Sequence, residues 1–160
     1  MRQLSTHAAT AKAIRQELKR AFPHTIFAVK SRSFAGGDAC DVEWTDGPSR
    51  KDVEKHINKY QFGNFDGMQD LYEYSNVIEG LPQVKYVQIR RNISEEILET
   101  IYADMKPRYD GWDKLTGLND TSLELMNQWR FWTPREYILH HCIRDKDLTN
   151  GYKAEEIAFA

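Results

Sequence analysis

The sequence is poor in cysteine: Cys40 and Cys142 are its only two, each in an apolar-periodic context. That excludes a disulfide framework and predicts two buried thiols in a reducing compartment. It also lacks an apolar run long enough to cross a bilayer, and with 29% charged residues no membrane partner is expected. The opening stretch MRQLSTHAATAKAIRQELKR has no continuous apolar segment of the kind a secretory signal needs, so export is not expected. CxxC and HxxxH spacings are missing. What remains for a metal is HHC at His140–Cys142, with Cys40 and His56 elsewhere. Adjacent histidines on a helix point about 100° apart, so neither a metal nor a cofactor is expected. There is no arginine-rich cluster, aromatic RNA-recognition signature, helix-turn-helix pattern, internal repeat, low-complexity tract or long linker.

What is present suits one ordinary domain. The chain of 160 residues, 41% hydrophobic and 12% aromatic, is long enough for one ordinary domain with a real core and too short to expect two domains. The expected organisation is a single domain over 1–160, with an α+β core at 8–94 and a helical extension at 95–160. The net charge of −2 hides an asymmetry: residues 1–60 hold 11 Lys+Arg against 7 Asp+Glu, and residues 61–160 hold 11 against 17. One end could face something acidic and the other something basic.

Along the chain, Ala11, Ile14, Leu18, Ala21 and Phe22 recur at helical spacing and stop before Pro23. TIFAVKSR and ACDVEW then alternate with period two, placing Phe27 with Val29 and Cys40 with Val42 and Trp44. Gly36 and Gly37 between them supply a turn or bulge. Ser49 and Asp52 resemble a capping box ahead of a second helix. QFGNFDGMQDLYEYSNVIEG reads as a loop or short helix pinned on the core, and VKYVQIRR as a third strand. Further helices are expected after Ser94, after Thr121 and after Thr133-Pro134. The order α-β-β-α-β-α-α-α predicts an α+β fold: a small, mainly antiparallel three-stranded sheet with helices on one face, then a helical C-terminal part.

Several constellations carry candidate chemistry, and each has a plain structural alternative. Arg32 as an anion clamp with Asp38, Asp41 or Asp46 as acid or base would make an active site, but turn chemistry explains the same aspartates, and an enzyme is not the favoured reading. Lys12, Arg15, Lys19, Lys30 and Arg32 could neutralise phosphates of a nucleic acid, or be scattered cations on solvated faces. The segment 61–84 holds Asp66, Asp70, Glu73 and Glu79 with no Lys or Arg; it could dock in a basic groove or be a solvated acidic face. Trp129, Phe131 and Trp132 cannot all share one helical face, so at least one could anchor a partner.

The stretches TAKAIRQELKRAFP, FAVKSRSFAGGDACDVEWTDGP, VEKHINKYQFGNFDGMQDLYEY and KYVQIRRNIS resemble the large polyvalent protein-associated domains, type twenty-nine, over residues 8–94. SRSFAGGD, WTDGP and FDGM.D.Y are the most specific parts. The resemblance implies a phage, plasmid or other mobile-element context inside a bacterial cytoplasm. It brings no catalytic residues. The function expected from it is an anti-defence protein that binds a host defence protein or ribonucleoprotein, such as a CRISPR effector, and blocks it stoichiometrically. The alternative is a nucleic-acid-binding accessory module. If its recurring positions, Arg32, Gly36, Gly37, Asp38, Trp44, Asp46, Gly47, Asp66, Gly67 and Tyr72, do one job, they shape a rigid hairpin and the loop packed on it.

Overall fold

A computed structural model describes residues 5–108, 111–121 and 133–152. The chain forms two compact units, the first from residues 1–44 and 50–91 and the second from residues 45–49 and 92–160. The fold is α+β, as the element order predicts.

The first unit opens with α1 (Thr6–Ala21), which buries Thr10, Ala11, Ile14 and Leu18 along one stripe. The Phe22 amide donates to the Leu18 carbonyl at 2.8 Å and closes the helix just before Pro23. Next come β1 (Ala28–Phe34), β2 (Gly37–Thr45), α2 (Arg50–Ile57) and a 3-10 turn at Asn58–Tyr60. A short hairpin, β3 (Asn64–Asp66) and β4 (Leu71–Glu73), precedes β5 (Tyr86–Asn92). The main sheet has the order β1-β2-β5. β1 and β2 are antiparallel, with Val29 opposite Val42 and Phe34 opposite Gly37.

β5 runs the other way relative to β1. At the strand starts the Lys85 amide donates to Asp38 Oδ1 at 2.8 Å, and at the ends the Asp46 amide donates to the Asn92 carbonyl at 2.7 Å. Matching starts and matching ends make β2 and β5 parallel, so the sheet is mixed. Val29, Cys40, Val42, Trp44, Val87 and Ile89 face one side and pack with Ile14 and Leu18 of α1 and Val53 and Ile57 of α2. Both helices therefore cover the same face. Lys59 Nζ donates to Glu17 at 2.7 Å and the Tyr60 hydroxyl donates to its other oxygen. Burial alone would raise the Glu17 carboxyl, but these two donors outweigh it and hold the group below its ordinary range.

The expected loop or short helix after Gln61 is instead the β3–β4 hairpin, with Phe65 opposite Tyr72. Its turn is made by Asp66, whose Oδ1 accepts the Met68 amide at 2.9 Å. Three residues per strand leave almost no period-two signal, which is why the sequence pattern alone does not reveal it.

In the second unit, Asp46 and Gly47 adopt φ 57° and 59°. Asp46 Oδ1 accepts the Ser94 amide at 2.8 Å, and the Gly47 carbonyl accepts the Leu148 amide at 2.7 Å. Ser94 caps α3 (Glu95–Met105), with Glu95 and Glu96 in its first turn, where the helix dipole favours anions. Leu98, Ile101, Tyr102 and Met105 bury against Trp112, Leu115, Tyr137 and Ile138. Thr133 caps α4 (Pro134–Tyr137) by accepting the Glu136 amide, with Pro134 at the first helical position. The helix then widens into a π turn at Ile138–Cys142. Arg135 forms a forked pair with Glu95. The helix expected after Thr121 lies outside the described residues. Among the described residues no helix is long and apolar enough to cross a membrane.

Both thiols are free and buried. Burial, joined at Cys40 by the charges of Asp38 and Asp41, pushes each up to about 11. A folded-state pKa above the unfolded value of about 8.5 favours folding below that value, and the advantage disappears as pH rises toward the folded value. The urea midpoint is therefore expected to fall between pH 8 and pH 10.5, with a shallower fall in a Cys40→Ala/Cys142→Ala variant. An equal fall in the two proteins would contradict this.

Candidate functional site

The hairpin SRSFAGGDACDVEWTDGP is built around Lys85. Asp38 receives the Lys85 amide, and Lys85 Nζ donates to the Gly36 carbonyl at 2.8 Å. A Cβ on Gly37, at φ 149°, would come within 2.7 Å of Lys85 Cδ. Gly37 thus leaves room for a lysine side chain to lie across the turn, whereas a Cβ on Gly36 would meet only Phe34, at 3.8 Å. Arg32 Nε donates to Asp41 Oδ2 at 2.9 Å, and its guanidinium stands 5.3 Å from the Phe34 ring centre. The other carboxylate oxygen of Asp41 is buried without a hydrogen-bond partner.

The β1–β2 register sets Arg32 opposite Ala39 and Asp38 opposite Ser33. Arg32 and Asp38 therefore point to opposite faces of the hairpin, and the structure does not join them into one catalytic pair. Asp46 is committed to the backbone of the second unit. The basic candidates also divide. Lys12, Arg15 and Lys19 lie on the exposed side of α1, where Arg15 donates to the Val29 carbonyl at 2.6 Å. Lys30 and Arg32 stand on the sheet face that α1 does not cover. His56 is in the first unit, whereas His140, His141 and Cys142 belong to the second. Among the described residues no group of three or more His, Cys, Asp or Glu side chains is placed to hold a metal ion. Trp129, Phe131 and Trp132 lie outside the described residues.

The acidic segment lies largely at the surface. Asp70, Glu73 and Glu79 are exposed and Asp66 is half-buried. The same segment displays Phe65, Met68, Leu71, Tyr74, Val77 and Ile78, six of the nine large hydrophobics exposed among the described residues. Acidic charge is visible in the sequence; the apolar display is not, because the segment reads as a loop or short helix pinned on the core. Met68, 97% exposed at the hairpin tip, could have been found from FDGM, an Asx turn followed by an apolar residue.

This surface is held firmly from beneath. The buried Gln83 donates to the Lys59 and Asn76 carbonyls at 2.7 and 2.8 Å and accepts the Ile78 amide at 2.9 Å. Gln61 donates to the Gly63 carbonyl at 2.7 Å and accepts the Val87 amide at 2.8 Å. The Tyr72 hydroxyl donates to the Lys85 carbonyl at 2.6 Å. Its ring meets Phe62, Tyr74 and Tyr86 edge-on at 5.9, 5.2 and 5.7 Å. Burial, with Tyr86 and Tyr74 alongside, pushes the Tyr72 hydroxyl up to about 12, so it stays a neutral donor at physiological pH.

Residues 5–112 match the family model described as large polyvalent protein associated domain 29. No curated protein and no solved structure matches the chain.

Proposed function

The chain belongs to the large polyvalent protein associated domain 29 family, and from that membership we propose that it is a phage- or plasmid-encoded anti-defence protein. It acts by stoichiometric binding to a host immune complex, a CRISPR effector being the leading case. The observation that carries this reading is segment 61–84, where six exposed apolar side chains share one stretch with four carboxylates and no Lys or Arg. Exposed apolar clusters of this kind mark interaction sites. Acidic residues around them suit a basic, nucleic-acid-handling groove, steering encounter as the phosphates of the displaced ligand would. A rigid base under the display lowers the ordering cost of binding.

The test begins with the tagged protein as bait in a bacterial lysate, with and without nuclease. One defence complex should be recovered under both conditions. Glu73→Lys/Glu79→Lys, both exposed positions, should then slow association with that complex about tenfold at low salt, the effect shrinking as salt rises. Recovery lost on nuclease treatment, or association unchanged by the reversal, would overturn the reading.

A further inference from the structure

The face of the main sheet opposite α1 and α2 has its own chemistry. Strand alternation places Lys30, Arg32 and Phe34 of β1 there, together with Tyr86, Gln88 and Arg90 of β5. Between these two rows the central strand contributes only Gly37 and Ala39 over its first turns of register, so the floor is low. Across that floor the Phe34 and Tyr86 rings approach to 6.2 Å at an interplanar angle of 23°. Cations rim them: Arg32 lies 5.3 Å from Phe34, and Lys85 Nζ lies 5.6 Å from Tyr86. Phe34 remains 41% exposed, and Lys30, Gln88 and Arg90 are exposed alongside it.

We propose that this open sheet face binds single-stranded nucleic acid. Unpaired bases stack on Phe34 and Tyr86, the Arg32 guanidinium adds a third planar surface, and Lys30, Lys85 and Arg90 follow the phosphates. Asp41 and Glu43 oppose these four cations on the same face, leaving it net positive. The unit as a whole carries 14 Lys+Arg against 10 Asp+Glu. A protein partner would call for apolar contact, whereas two rings set among cations match stacked bases linked by phosphates. Paired bases cannot offer their faces, so duplex should bind less well. This inference rests on the sheet face, where Tyr72 of segment 61–84 only buttresses the Tyr86 ring edge-on at 5.7 Å, and it does not depend on the anti-defence reading.

The test uses the full chain with fluorescein-labelled oligothymidylate and oligouridylate of about 20 nucleotides, a duplex of equal length as competitor, and anisotropy as the readout. Single strands should bind at about 50 mM salt, at least about tenfold tighter than duplex, and weaken toward about 200 mM. Phe34→Ala should weaken binding about tenfold, and Arg90→Glu should weaken it and flatten its salt dependence. Both positions are exposed, and thermal melts will show that the variants stay folded. No binding at low salt, equal affinity for duplex, or binding lost in Lys12→Glu/Lys19→Glu while Phe34→Ala has no effect would each overturn the proposal.

Discussion

Trp112→Ala is expected to destabilise the second unit by about 3–5 kcal/mol, a large share of the 5–15 kcal/mol typical of a folded domain. Trp112 is fully buried, although it stands in a 3-10 turn of three residues entered through Gly111 at φ 86°. Its ring lies 6.2 Å from Tyr102 and meets Tyr137 edge-on at 5.6 Å. Truncation would leave a cavity among rings that cannot easily move in. The Tyr102 hydroxyl is tied to the Leu115 carbonyl at 3.1 Å, and Tyr137 belongs to the capped turn of α4. Urea unfolding followed by circular dichroism measures the loss, and Trp112→Phe, which keeps an aromatic ring in place, should cost clearly less. A loss below about 1 kcal/mol for the alanine variant would show that the ring is not the centre of this core.

The features that were legible in the sequence are those whose cause is local. The 16 residues of α1 give four turns of apolar spacing and a proline stop. β1 and β2 show alternation because one face is covered, and Thr133-Pro134 announces a cap from four residues. The features that were hidden depend on distant partners. Asp38 reads as a turn residue, but its partner is the Lys85 amide, 47 positions away. Arg32 reads as a free ligand contact until the strand register places Asp41 beside it. The parallel match of β5 to β2 cannot be read from either strand, since both show the same alternation whichever way they run. Trp112 is embedded in a polar stretch, RYDGWDKLTGLND, too short and irregular to carry a period. The candidate surface was half legible: its charge follows from composition, whereas the exposure of Phe65, Met68 and Leu71 follows only from the hairpin.

Gly63→Ala should have the other large effect, and it bears directly on that surface. A Cβ at Gly63 would lie 2.0 Å from the Glu73 carbonyl oxygen and 2.5 Å from Tyr72 Cε1. The first obstacle is backbone, so no rotamer change relieves it, and the Gly63 carbonyl is itself held by Gln61. The variant must either part β4 from residue 63 or shift both, at an expected cost of about 3 kcal/mol or more, at the upper end for overpacking. Parting them would also pull Tyr72 from the Lys85 carbonyl and from the Tyr86 ring. Two other glycines serve as controls. Gly67 has only Phe65 Cε1 nearby, at 4.0 Å, and Gly80 has nothing near but adopts φ 78°. Gly67→Ala should be almost neutral, and Gly80→Ala should cost about 1 kcal/mol for its left-handed backbone. Hydrogen exchange of the amides from 64 to 73 reports hairpin opening directly. Fast exchange there in Gly63→Ala, together with loss of partner binding that Gly67→Ala retains, ties the docking surface to the hairpin's shape rather than to its charge alone. Wild-type stability and exchange in Gly63→Ala would mean that β3 and β4 do not approach each other this closely, and the rigid base argued for segment 61–84 would fall with it.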